Sequence, residues 1–225
     1  MLWLTALSGY NQRRPLSREA HMKLRRGLLL CLGLLLLAAC TSSAGPLVDD
    51  FSDPASGWGA ASTESYVRGY DSGKYLIRID VPHWFVWTMQ DRSYKDVAVE
   101  VLARSEGATD NHFGVICRYS DAGFYYFAIS ADGYYAIFRR IGDQPLEPLT
   151  GPAMLRSPVI NREGVTNRLL GVCEGSVLTF YVNGELIARA EDTQLTAGKV
   201  GIAAGTVEYG QTTLVWFDDF KASKP

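Results

Sequence analysis

At 225 residues, with 12 tyrosines, 22 glycines and no apolar stripe of period i, i+3, i+4, i+7 long enough for a core helix, the chain suits one large all-β domain or two small ones. Its formal charge of −2 hides an asymmetry, because residues 1–39 hold six basic side chains and one acidic, leaving sixteen basic and twenty-three acidic residues beyond, a net of −7. So acidic a domain is a poor match for phosphate backbones, which need clustered Lys and Arg, and no nucleic-acid partner is expected.

In chain order, Lys23-Leu24-Arg25-Arg26 precedes an apolar run from Leu28 to Ala39 that ends at Cys40. A basic segment, a short apolar run and small residues before a cut site describe a secretory signal. The run is about half the ~20 residues of a membrane-spanning helix, so a permanent span is not expected. Leu37-Ala38-Ala39-Cys40 resembles the lipobox of bacterial lipoproteins; that resemblance implies cleavage before Cys40 and acylation of its side chain. The alternative is an ordinary signal peptide in which Cys40 is incidental. Met22 stands directly before the basic segment, which makes 1–21 an over-extended start or a leader, 22–39 the signal peptide and 40–46 a lipidated tether. The expected address is the extracytoplasmic face of a bacterial cell membrane, held there by the lipid.

From residue 47 onward the pattern alternates with period two between turn signals. Strands are predicted at 47–51, 65–70, 74–80, 84–87 and 94–102, then as a meander at 111–120, 123–130 and 134–141 whose turns contain Gly123 and Asp132-Gly133. Phe113, Val115, Cys117 and Tyr119 are predicted to share one face of the first meander strand, and His112, Gly114, Ile116 and Arg118 the other. One face of the meander is expected to be buried and the other to carry Arg and Tyr. Residues 142–166 read as a long loop with a short strand or turn near 154–156. Strands follow at 168–173, 177–182, 185–190, 199–204 and 214–221, with Asn183-Gly184 the strongest hairpin signal. Some thirteen strands with short turns argue for an all-β jelly-roll β-sandwich of two antiparallel sheets spanning 47–225.

Phe51, the Gly114…Cys117-Arg118-Tyr119 block, Tyr125-Tyr126, Asp132-Gly133-Tyr134, Asn167-Arg168-Leu169, Tyr181-Val182-Asn183-Gly184 and Phe217-Asp218-Asp219-Phe220 together resemble the concanavalin A-like lectin/glucanase sandwiches, in the branch with laminin-G-like and 3-keto-disaccharide hydrolase-like domains. The resemblance implies two curved antiparallel sheets with first and last strands adjacent. It does not imply one activity, because this fold hosts lectins, glycosidases and adhesion modules.

The chemistry-bearing residues are few. Cys117 and Cys173 are the two cysteines left in an exported domain, either a disulfide or two buried thiols. Retaining glucanases of this fold place two Glu on one strand face about 5 Å apart, and no such run is present. Glu100, Glu185, Glu191 and Asp192 read as solvated surface; His83 and His112 are the only candidate bases, with no nucleophile motif beside them. No catalytic residue is assigned, and hydrolysis is disfavoured. Pairing of the terminal strands would bring Asp49, Asp50 and Asp53 toward Asp218 and Asp219, where a structural calcium would neutralise them; turn capping and Lys or Arg pairing are the alternatives. Arg118, Tyr126, Tyr135, Arg139 and Trp87 are the candidate ligand-binding set, since aromatic faces pack on pyranose C–H bonds and Arg bonds hydroxyls. Cross-strand Tyr–Arg pairing without a ligand is the competing account. The expected partners are therefore the membrane, through the lipid, and a glycan or cell-surface component.

Overall fold

The computed structural model describes residues 45–162, 164–207 and 212–225. The expected leader, signal segment and acylated Cys40 lie outside them. Among the described residues the regular elements are all strands. In chain order they are β1 (Leu47–Asp49), β2 (Ala61–Ser62), β3 (Tyr66–Asp71), β4 (Lys74–Ile79), β5 (Phe85–Tyr94) and β6 (Val97–Gly107). The meander is β7 (Asn111–Ser120), β8 (Gly123–Ile129) and β9 (Tyr134–Ile141). The predicted long loop contains β10 (Glu147–Pro148) and β11 (Leu155–Arg156). The chain ends with β12 (Asn167–Glu174), β13 (Val177–Val182), β14 (Glu185–Glu191), β15 (Gly198–Thr206) and β16 (Thr213–Ser223).

These strands make a jelly-roll sandwich of two antiparallel sheets. Sheet I has nine strands in the order β14-β13-β12-β6-β16-β4-β3-β2, with β1 also on β16. Sheet II has seven in the order β10-β9-β8-β7-β15-β5, with β11 also on β9. The first and last strands pair as expected: Leu47 lies opposite Ala222, and Asp49 opposite Phe220. Asn183 and Gly184 both have positive φ (53° and 89°), the backbone a two-residue hairpin between right-twisted strands demands.

The core between the sheets is built from the inward positions of each strand, among them Val115, Phe127 and Ile202 from sheet II and Val99, Phe180 and Phe217 from sheet I. A Cβ on Gly171 of β12 would stand 2.6 Å from the Phe127 ring, so the missing side chain is what lets that ring cross the sandwich. Phe127 then meets Phe180 edge-on at 5.7 Å. A disulfide joins Cys117 of β7 to Cys173 of β12, with Cα atoms 6.8 Å apart, and so ties one sheet to the other. At the terminal end, Trp58 packs edge-on against Phe220 at 4.6 Å, and its indole N–H donates to Asp49 Oδ2 at 2.9 Å. The residues flanking β1 are also held by β5 of sheet II: Tyr94 donates to the Gly45 carbonyl, Arg92 to that of Pro46 and Gln90 to that of Ser56.

Candidate functional site

Sheet II differs from the expected half-buried meander. Every residue of β8 is buried, on both faces. Its inward residues Tyr125, Phe127 and Ile129 belong to the inter-sheet core. Its outward residues Phe124, Tyr126 and Ala128 join Ile116, Ala136, Phe138 and Ala203 in a second, separate apolar cluster. Phe85, Trp87, Met89 and Tyr119 surround that cluster half-buried, as do Leu146 and Met154 from the loop between β9 and β12.

The cluster is shaped by what β15 lacks. A Cβ on Gly201 would meet Met89 Cε at 2.5 Å, and one on Gly205 would meet the His112 ring at 2.3 Å. Two neighbouring side chains therefore lie across the strand where side chains of its own would stand. Over this floor the rings form a platform: Phe85 and Trp87 have centroids 5.3 Å apart, Phe85 and Phe124 stack at 6.1 Å, and Tyr119 and Phe124 stack at 5.9 Å. The Arg140 guanidinium sits 5.4 Å from the Trp87 centroid and 6.0 Å from that of Phe124, a cation–π position. At the Tyr119 end the platform opens into a concavity of about 490 Å³ with a polar rim that includes Ser93, Asp121 and Lys199.

Beneath the platform, His112 Nδ1 and the Tyr126 hydroxyl are 3.3 Å apart, and the hydroxyl lies 3.4 Å from the Ala203 carbonyl. Burial lowers the His112 pKa to about 4 and raises that of Tyr126 well above its usual value, so both are neutral. The sign for stability follows. Unfolded, His112 takes its proton near 6.5; folded, only near 4, so in that window the unfolded chain holds the extra proton. The contribution is complete above pH 6.5 and is lost as pH falls toward 4, a loss of at most about 3 kcal/mol. Denaturant unfolding at a series of pH values is expected to show this slope in the native sequence and a flatter one in His112→Gln; parallel slopes would refute it.

The five candidate ligand residues are not brought together. Trp87 alone lies on the platform. Tyr126 faces outward but is wholly buried beneath it. Arg118 has φ +54° in a bulge between Cys117 and Ser120, which turns its side chain inward and moves Tyr119 to the outward face, reversing the predicted alternation. Arg118 is 1% exposed and donates to the carbonyls of Lys95 and Leu195 and to Asp96. Arg139 bonds Asp192 and Glu147, and Tyr135 packs against the inter-sheet core. These two correct the expected exposed Arg and Tyr face: both residues serve the inward side of β9.

Asp192, read from sequence as solvated, is buried in that network. It accepts from the Tyr125 hydroxyl at 2.6 Å and from the Gln194 amide at 2.8 Å, and it pairs with Arg139. Burial pushes its carboxyl upward, but these partners outweigh it and the net shift is down; the Tyr125 hydroxyl is pushed up to about 12, chiefly by burial.

The aspartates proposed for calcium also diverge. Asp49 caps Phe51 and holds the Trp58 indole, Asp50 bonds Ser52, and Asp53 caps Ala55. Asp218 pairs with Lys74 and accepts from the Asp219 amide, whose own backbone has φ +50°. Among the described residues no three His, Cys, Asp or Glu groups converge as a metal site. Only Asp49 lies in β1, and Asp50 and Asp53 follow it in local turns, so pairing of the terminal strands does not make the five carboxylates converge.

Carboxylates are equally scarce on sheet II. Across β5, β7, β8, β9 and β15 there is one, Asp91, ion-paired to Lys199 at 2.7 Å.

No family model matches the sequence, and no curated protein does. Solved structures match the fold. A carbohydrate binding module, CBM66, from Bacillus subtilis aligns at TM-score 0.51 and 15% identity, over 81% of this chain and 98% of that one. A Bacillus subtilis protein of unknown function with a galectin-like fold aligns at 0.60 and 10% identity, over 81% and 97%. A Bacillus licheniformis beta-glucanase aligns at 0.56 and 12% identity, over 82% and 100%. At these identities the likeness is one of fold.

Proposed function

We propose that the chain is a membrane-anchored extracytoplasmic lipoprotein whose sheet II platform recognises carbohydrate without hydrolysing it. The observation that carries this reading is the half-buried rings of Phe85, Trp87 and Tyr119, held against buried Phe124 with Arg140 beside them, on a sheet whose long strands hold a single carboxylate. Flat apolar rings take the C–H face of a pyranose, while the guanidinium and the polar rim at Tyr119 take its hydroxyls. Glycoside hydrolysis by the two-carboxylate route needs an acid and a nucleophile or base about 5–10 Å apart, and the strands of the platform do not supply that pair. Similarity in fold to a carbohydrate binding module supports the ligand class. The Cys117–Cys173 bridge suits an oxidising compartment, and the basic-apolar-Cys40 sequence suits a lipid anchor.

One experiment tests both halves. The full chain and a Cys40→Ala variant are expressed in a bacterial host, fractionated and applied to a glycan array. The native sequence is expected in the membrane fraction and the variant outside it, both binding the same subset of glycans and leaving them uncut. No glycan bound by either form, or release of reducing ends, would refute the recognition half. A membrane fraction unchanged by Cys40→Ala would refute the anchor.

A further inference from the structure

We propose that the loop carrying Arg156 and Arg162 is an oxyanion site, distinct from the aromatic platform, that takes the carboxylate or sulfate groups of an acidic saccharide chain. The saccharide half rests on the carbohydrate reading above; the oxyanion half stands without it.

The two arginines are both exposed and line one concavity of about 420 Å³ together with Ser157, Pro158 and Ile160. Their positions are set before any ligand arrives. Arg156 ends β11 opposite Tyr134, and the next amide, Ser157 N–H, donates to the Gly133 carbonyl at 3.0 Å. The Arg162 stem lies over the same turn: a Cβ on Gly133 would stand 3.1 Å from Arg162 Cδ. Between the arginines, Ile160 is buried. Asn161 N–H donates to Asn167 Oδ1 at 2.8 Å, Asn167 returns a bond to the Asn161 carbonyl at 2.7 Å, and Asn183 donates to the Val159 carbonyl at 2.8 Å. A loop fastened at so many points loses little conformational freedom on binding.

Arg78, Arg104, Arg118, Arg139, Arg140 and Arg168 each have a carboxylate partner. Among the described residues Arg156 and Arg162 have none; nor do Arg68, Arg92 and Arg189, of which Arg68 and Arg92 donate to backbone carbonyls instead. From residue 40 onward the chain carries a net of −7, so a polyanion needs a local cluster of positive charge to bind it. A guanidinium presents paired N–H donors that match the oxygens of a carboxylate or sulfate, and two of them on one concavity suit a repeating anion.

Position argues for a chain rather than a free ion. Met154, two residues before Arg156, packs against the outward cluster of sheet II, so the loop borders the platform face. The arginines sit by the turn after β8, whereas Tyr119 and Lys199 sit by the turn before it. Seven residues of strand separate them, about 20 Å at ~3.3 Å per residue. A saccharide of several rings spans that distance and engages both.

The test uses the full chain, an Arg156→Gln/Arg162→Gln double variant and Trp87→Ala. The probes are polygalacturonate, its methyl ester and inorganic sulfate at low ionic strength, followed by calorimetry. Polygalacturonate is expected to bind the native chain at least tenfold more tightly than its methyl ester does. The double variant is expected to lose that margin, and sulfate to compete in the native chain but not in the double variant. Trp87→Ala is expected to weaken both polymers alike and to leave sulfate binding unchanged. Equal binding of charged and esterified polymer, or of native and double-variant protein, would overturn the proposal. So would arginine-dependent binding of phosphatidylglycerol vesicles with no binding of polygalacturonate. Sulfate binding lost in the double variant, with no saccharide bound by any form, would overturn the carbohydrate reading and the saccharide half here, while upholding the oxyanion site.

Discussion

Arg118→Ala is expected to lower the unfolding free energy by about 3 kcal/mol, a large share of what a domain of this kind has. The guanidinium is 1% exposed and its bonds go to the carbonyls of Lys95 and Leu195, at 3.0 and 2.9 Å. Those carbonyls belong to the connections β5–β6 and β14–β15, so the side chain fastens two crossings between the sheets to β7. Truncation leaves both oxygens without a partner and a cavity the size of the side chain. The freed Asp96 carboxylate adds less, since it is about one-third exposed and still accepts from the Gly175 amide at 2.9 Å. Arg118→Lys is expected to recover only part of the loss, because one ammonium cannot reproduce donors that diverge from a planar fork. Denaturant unfolding of the three forms checks this. A loss under 1 kcal/mol for the alanine variant would mean the residue is not the strut described.

Opening the Cys117–Cys173 bridge is expected to cost about 4 kcal/mol on the chain-entropy account, since it closes a separation of 56 residues. Both cysteines are wholly buried, and they stand on β7 and β12, in different sheets, so hydrogen bonding along either sheet does nothing to replace the link. The comparison is unfolding of the native sequence with and without reductant, against a Cys117→Ser/Cys173→Ser variant. Reductant should shift the native midpoint and leave the variant unmoved. A native midpoint insensitive to reductant under unfolding conditions would show that the bridge does not set stability.

Much of this architecture was legible in the chain. The pattern predicts the meander at 111–120, 123–130 and 134–141, and its strands run 111–120, 123–129 and 134–141, because glycine-bearing turns mark each reversal. Sidedness was harder. Period two put Tyr119 with Cys117, and the bulge at Arg118 undoes that; nothing in the identity of an arginine announces a positive φ. A signal for the platform was present in Gly123–Ile129, an unbroken apolar run, which is how a strand covered on both faces reads. Asp192 could not have been assigned locally, since its burial depends on Tyr125 and Arg139, more than fifty positions away in another sheet. The aspartates named for calcium show the same dependence: register places them near one another, while their side chains are engaged by turns, an indole and a lysine.

The face that recognises glycan is the point on which the functional account turns. The most direct measurement is the affinity of the tightest array glycan for the full chain, for Trp87→Ala and for Trp216→Ala. Trp216 is a half-buried indole on the outer face of sheet I, with Arg104 4.9 Å from its centroid, so it offers the same chemistry on the opposite side of the molecule. The account predicts at least a tenfold loss for Trp87→Ala, equivalent to ~1.4 kcal/mol or more, and no change for Trp216→Ala. Unchanged affinity in Trp87→Ala with a loss in Trp216→Ala would contradict it.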